Sequence, residues 1–77
     1  MAAVAAEVRA LSEAAGLSGR ELARRSGLPS NTLAVKLRGV SPFDVAELAR
    51  VAGALGVDVA TITGRAEAAA SRARTDT

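Results

Sequence analysis

The sequence predicts an all-α fold, a compact arrangement of five short helices. Three observations carry this expectation. Ala, Leu, Arg and Glu dominate the composition, and strand formers beyond Val are scarce. Large apolar residues recur at helical spacing. Capping residues and Gly divide the chain into short segments joined by loops of the length found between packed helices. The chain has 77 residues, enough for one domain with a small core. Hydrophobic residues make up 49% of it. Half of those are Ala, so close packing must rely on Ala at helix contacts.

The first helix is expected over residues 2–15, with Val4, Val8, Leu11 and Ala15 on its inner face and Glu7, Arg9 and Glu13 off it. Gly16 follows, where a helix C-terminus often places Gly. Ser18 opens the second helix, and Ser18 with Glu21 has the spacing of a capping box. Leu22 and Ala23 point inward, and Gly27 ends the helix in a turn that favours positive φ. The third helix runs from about Ser30 to Arg38 and stops at Gly39, with Leu33 and Leu37 inward. Ser41 and Pro42 suit the N-cap and first turn of the fourth helix, and Asp44 complements its positive end. Val45, Leu48, Val51, Ala52 and Leu55 form its buried stripe, which Gly56 terminates. Asp58 caps a fifth helix carrying Val59 and Ile62, and Gly64 interrupts it. Residues 1–64 are thus expected to form the domain. Residues 65–77 form an Ala/Arg-rich C-terminal extension, helical or frayed, with Arg72–Thr77 read as frayed.

Composition also excludes chemistry. Without Cys there are no disulfides or thiolate metal sites, and without His the commonest general base and metal ligand is missing. No paired carboxylates stand at catalytic spacing. The chain is therefore expected not to be an enzyme and to bind no metal, cofactor or small-molecule ligand. No apolar run approaches a membrane span and no signal peptide opens the chain, so a cytoplasmic protein is expected.

Ten Lys and Arg against eight Asp and Glu leave a formal charge of +2. The balance is local. Arg20, Arg24, Arg25, Lys36 and Arg38 stand within residues 18–40 against Glu21 alone. That segment contains a short capped helix, a Gly-containing turn and a second short helix. This is the spacing of a helix-turn-helix, whose second helix can enter a DNA major groove. A cluster of cations there is the footprint of phosphate binding.

Residues 17–39, LSGRELARRSGLPSNTLAVKLRG, resemble the helix-turn-helix of the lambda repressor-like (Cro/repressor-type, XRE-like) DNA-binding domains. Residues 40–62, VSPFDVAELARVAGALGVDVATI, resemble the fourth helix and the start of the fifth in the same domains. The E-L-A-x-x-S-G core and the downstream L-A-x-V-A-x-x-L-G-V run carry the resemblance in combination. It implies a sequence-specific binder of double-stranded DNA, most often a phage-type repressor or Cro protein. Such a protein acts as a homodimer on a two-fold operator, in a bacterial or phage-infected cell and associated with the nucleoid. It also implies that Ser30, Asn31 and Val35, with Thr32 beside them, face base edges. Gly19 stands where many members carry Gln beside a phosphate, which leaves the backbone N–H groups to make that contact. Pro29 replaces the usual polar N-cap of the third helix, so Ser30 is left to cap it in competition with base reading. Lys36 stands where an apolar residue is common; its stem can pack while its ammonium reaches a phosphate. Arg20 and Arg38 are the other phosphate candidates.

The side chains themselves give a consistent chemistry. Asn31 can bond adenine bidentately, and Val35 can meet a thymine methyl. Ser30 and Thr32 bond with little base preference. No Arg or Lys lies among these positions, so A·T pairs are favoured over G·C. Alternatives stay open. Arg25 can pair with Glu21 at i, i+4. Asn31 can be a cap or turn residue. Val35 can be core if the register shifts. Phe43 suits core or interface packing better than base stacking. Val59 and Ile62 can be core or dimer contact. The segment from Val57 to Ile62, with the Ala-rich turn that follows it, is the candidate interface of a homodimer that is weak when free. The competing function is a protein-interaction module or a DNA-binding antitoxin of the same fold; an interaction module would show an exposed apolar patch at the start of the third helix.

Overall fold

The computed structural model describes residues 2–75. Five helices follow in order: α1 (Ala2–Ala14), α2 (Gly19–Ser26), α3 (Ser30–Leu37), α4 (Val45–Leu55) and α5 (Val59–Thr75). No strand occurs among the described residues. α1 lies across α5, α3 and α4, while α2 is wedged against α3 and α4. The common core gathers Val8, Leu22, Ala23, Leu28, Leu33, Leu48, Val51, Ala52 and Ile62. Phe43 packs half-buried against it, as do Val57 and Val59. Small residues make the close contacts, as the composition required: Ala5, Ala23, Ala52 and Ala66 are all buried.

Local signals place most boundaries. Ser18 Oγ accepts from Glu21 N–H at 3.1 Å and starts α2. Gly27 ends it at φ 78°, with its N–H on Ala23 O. Any residue with a Cβ is strained at that φ, so the turn depends on Gly. Asp58 Oδ1 accepts from Thr61 N–H at 2.8 Å and from the Thr61 hydroxyl at 2.7 Å, and so starts α5.

Several expectations are corrected. Ala15 lies exposed in the turn after α1 rather than on its inner face. α3 closes at Leu37, with Arg38 as its C-cap. Ser41 and Pro42 remain in the loop, and Asp44 is the N-cap of α4. The reason is a complete capping box. Asp44 Oδ1 accepts from Glu47 N–H at 2.7 Å, and Glu47 Oε1 accepts from Asp44 N–H at 3.0 Å. Starting the helix at Val45 turns that side chain out: Val45 is 81% exposed. Ile62 is fully buried in its own chain's core, so it is not free to meet a second copy. Gly64 does not interrupt α5, because Ala66 is buried one turn beyond Ile62 and Arg65 Nε pairs with Glu7 at 2.8 Å. The expected boundary at 64/65 therefore falls inside a helix. Of the segment read as frayed, residues 72–75 are helical, and 76–77 lie outside the described residues.

Candidate nucleic-acid interface

α2, the Gly27–Pro29 turn and α3 form one unit. Leu22 and Leu33, both essentially fully buried, lock the two helices onto the shared core. Leu28 anchors the turn between them, and the Ser26 hydroxyl donates to Ala23 O at 3.2 Å. α3 is thus held by its inner face, and its outer face is left to solvent.

Ser30 and Asn31 sit at the start of that outer face, both exposed. Pro29 occupies the N-cap, and no side chain caps α3. Ser30 does not take over capping, and the Asn31 amide makes no hydrogen bond among the described residues. The reading of Asn31 as a cap or brace thus has no contact behind it. Thr32 and Val35 are half-buried and flank the outer face rather than standing on it. Ala34, exposed one turn beyond Ser30 and Asn31, shares their face and was missed by sequence reasoning. The signal was present in the i, i+3 and i+4 spacing. Gly19 and Arg20 at the start of α2 border the same shallow groove as Ser30, Asn31 and Ala34. No side chain rises from Gly19 to close it.

The cations divide into two groups. Arg20 and Arg38 are exposed and make no ion pair among the described residues. Arg24 and Arg25 share the Glu21 carboxylate, Arg25 at 3.3 Å. The expected capping box at Ser18 and Glu21 is therefore half formed, because the Glu21 side chain turns to its arginines and not back to Ser18. Lys36 departs furthest from expectation. Its ammonium donates to Glu47 Oε1 and to Pro42 O, the latter at 3.2 Å, and its side chain is 14% exposed. It is directed at α4 and not outward, because the α4 capping box brings a carboxylate within reach of its stem.

A family model described as a helix-turn-helix domain matches residues 3–63. The chain belongs to the helix-turn-helix domain family. No curated protein and no solved structure that was compared matches it. Membership suggests a DNA-binding regulator, in a family whose members are typically not enzymes. In this helix-turn-helix domain no helix among the described residues is long and apolar enough to cross a membrane.

Three carboxylates of the helix-turn-helix domain are held below their ordinary pKa. Glu47 is lowered first by the Asp44 N–H and then by the Lys36 ammonium. Glu21 is lowered first by Arg24, and Asp58 first by the Thr61 hydroxyl. A carboxyl with a depressed folded pKa stabilises the fold above its unfolded pKa, and this is lost as pH falls through the folded value. The domain should therefore lose stability through the acidic range. Glu47→Gln should flatten part of that loss, because the neutral amide does not titrate. Denaturant melts at a series of pH values measure this; parallel curves for the two proteins would contradict it.

Proposed function

We propose that this chain is a sequence-specific transcriptional regulator of double-stranded DNA, of the phage repressor or Cro type, which inserts α3 into the major groove. The observation that carries the reading is Asn31, exposed at the second position of α3 with its amide unengaged. That amide complements the N6 and N7 edge of adenine. Ser30 stands beside it for base contact. Thr32 and Val35 follow from the flanks of the helix, and the Ala34 methyl suits a thymine methyl. Arg20 and Arg38 take phosphates, with the Gly19 backbone N–H supplementing them at the start of α2. Lys36 joins them only by giving up Glu47. The competing interaction-module reading calls for an apolar patch at the start of α3, where Ser30 and Asn31 stand instead.

Two copies share one palindromic operator, with half-sites about one helical turn (~34 Å) apart. Val57 and Val59, half-buried, are what the Val57–Ile62 segment offers a second copy. So small a patch makes a weak dimer in the absence of DNA. Such a regulator works in the cytoplasm of a bacterial or phage-infected cell, on the nucleoid.

The test is a DNA titration across salt concentrations, using a duplex selected from random sequence. Affinity should fall steeply as salt rises, because phosphate contacts release counterions. Arg38→Ala should weaken binding to all sequences alike and lower the salt slope by about 1 per copy. Binding that ignores salt, or an Arg38→Ala variant with an unchanged slope, would remove the basic cluster from the interface. Sedimentation of the same mixtures counts the copies bound.

A further inference from the structure

α3 is tied to its neighbours mainly through its C-terminal half by polar side chains. It has eight residues, one of them fully buried, and its N-terminus lacks a side-chain cap. Leu28 in the preceding turn and Leu33 in the core hold its first half, and the side-chain ties to α1 and α4 lie at the other end. The last four carbonyls of a helix have no partner within it. In α3 each one is accounted for. Arg38 N–H donates to Ala34 O at 3.2 Å, Val40 N–H to Val35 O at 3.3 Å, and Gly39 N–H to Lys36 O at 3.0 Å. The remaining carbonyl, Leu37 O, accepts from the guanidinium of Arg9, which belongs to α1 and lies 28 residues away in sequence. Arg9 therefore satisfies the final carbonyl and sets a cation at the negative end of the helix. One residue before Leu37, Lys36 reaches the other way, to Glu47 of α4 and to Pro42 O in the loop between α3 and α4.

We infer that Arg9 and Lys36 are positioning residues for α3, two cationic ties that fix its C-terminal half between α1 and α4. The inference rests on the reading that α3 is the DNA-reading helix. A helix this short can pivot about Leu33. A pivot moves Ser30, Asn31 and Ala34 away from the base edges while leaving the core intact. The two ties oppose that pivot from opposite sides. Neither cation need touch DNA to influence which sequence is read.

Arg9→Met and Lys36→Met test this, since Met keeps the apolar stem and the helix propensity and removes the charge. Each variant is titrated with the selected duplex and with a random-sequence duplex. The ratio of the two affinities should fall about tenfold, the scale of one misaligned base contact. The salt slope should stay that of the unmodified protein. Arg9→Lys and Lys36→Arg, which retain a donor and a charge, should restore most of the ratio. A slope lower by about 1, with both duplexes weakened equally, would make the cation a phosphate contact and overturn the inference. A lower melting temperature with an unchanged ratio would overturn it too, leaving only a structural role. A readout without DNA separates this inference from the functional reading. In the free protein, amide hydrogen exchange across α3 should quicken in Arg9→Met relative to α2 and α4. Unchanged exchange would refute the tie even if DNA binding were found, and faster exchange would uphold it even if the unmodified protein bound no DNA.

Discussion

Leu33→Ala should be the most damaging single substitution in the helix-turn-helix unit. Leu33 is 1% exposed and is the one fully buried side chain of α3. Truncating it removes apolar contact and leaves a cavity, at a cost of about 2–5 kcal/mol. A domain of this size is stable by about 4–12 kcal/mol in all, so the variant should be partly unfolded at moderate temperature. Thermal melts followed by far-ultraviolet circular dichroism should shift down by roughly 10–30 °C. DNA binding should fall with the folded fraction. Leu37→Ala, at a half-buried position, should cost much less. Equal losses at the two positions would mean that α3 is not seated on Leu33.

Asn31→Ala should do the opposite: a large change in recognition with almost none in stability. Its amide makes no hydrogen bond among the described residues, so its removal leaves no partner unsatisfied. Had Asn31 capped the helix, its loss would lower stability by about 1 kcal/mol. As a base-reading residue it should cost roughly 1–3 kcal/mol at one A·T pair and little elsewhere in the site. The measurement is a melt, followed by binding to operators varied one base pair at a time. A normal melt with indifference at one position supports the readout role. A normal melt with an unaltered preference profile removes Asn31 from the base-reading set.

The helix-turn-helix itself was legible because its signals are local. Ser18 caps three residues ahead, Gly27 takes a left-handed conformation, and Leu22 and Leu33 fall on the faces that their spacing assigns. The start of α4 was misjudged for a reason equally local. Ser41-Pro42 and Asp44-x-x-Glu47 are both plausible openings in sequence. The second prevails because its reciprocal bonds satisfy two backbone N–H groups, and a Ser41 cap would satisfy only one. The continuation of α5 was harder to read. No large apolar residue follows Ile62, and the helix is retained by small buried Ala66 and by the Arg65–Glu7 pair, whose carboxylate comes from the far end of the chain.

From the sequence alone followed the helical class, the place of the helix-turn-helix unit, the local excess of positive charge and the polar start of α3. These depend on composition, on capping over three or four residues and on a period of 3.6, all properties of short stretches of chain. Only the tertiary structure decided what each exposed group is free to do. It turned Val45 outward and Ile62 inward, covered half of Thr32 and Val35, and left Ala34 open. It also directed Lys36 to Glu47 and Arg9 to Leu37 O, while Arg20 and Arg38 stayed unpaired among the described residues. The physical reason is that periodicity states which residues share a helix face. Which part of that face a neighbouring helix covers, and which carboxylate or carbonyl a long cation meets, depends on helix packing angles set by contacts distant in sequence.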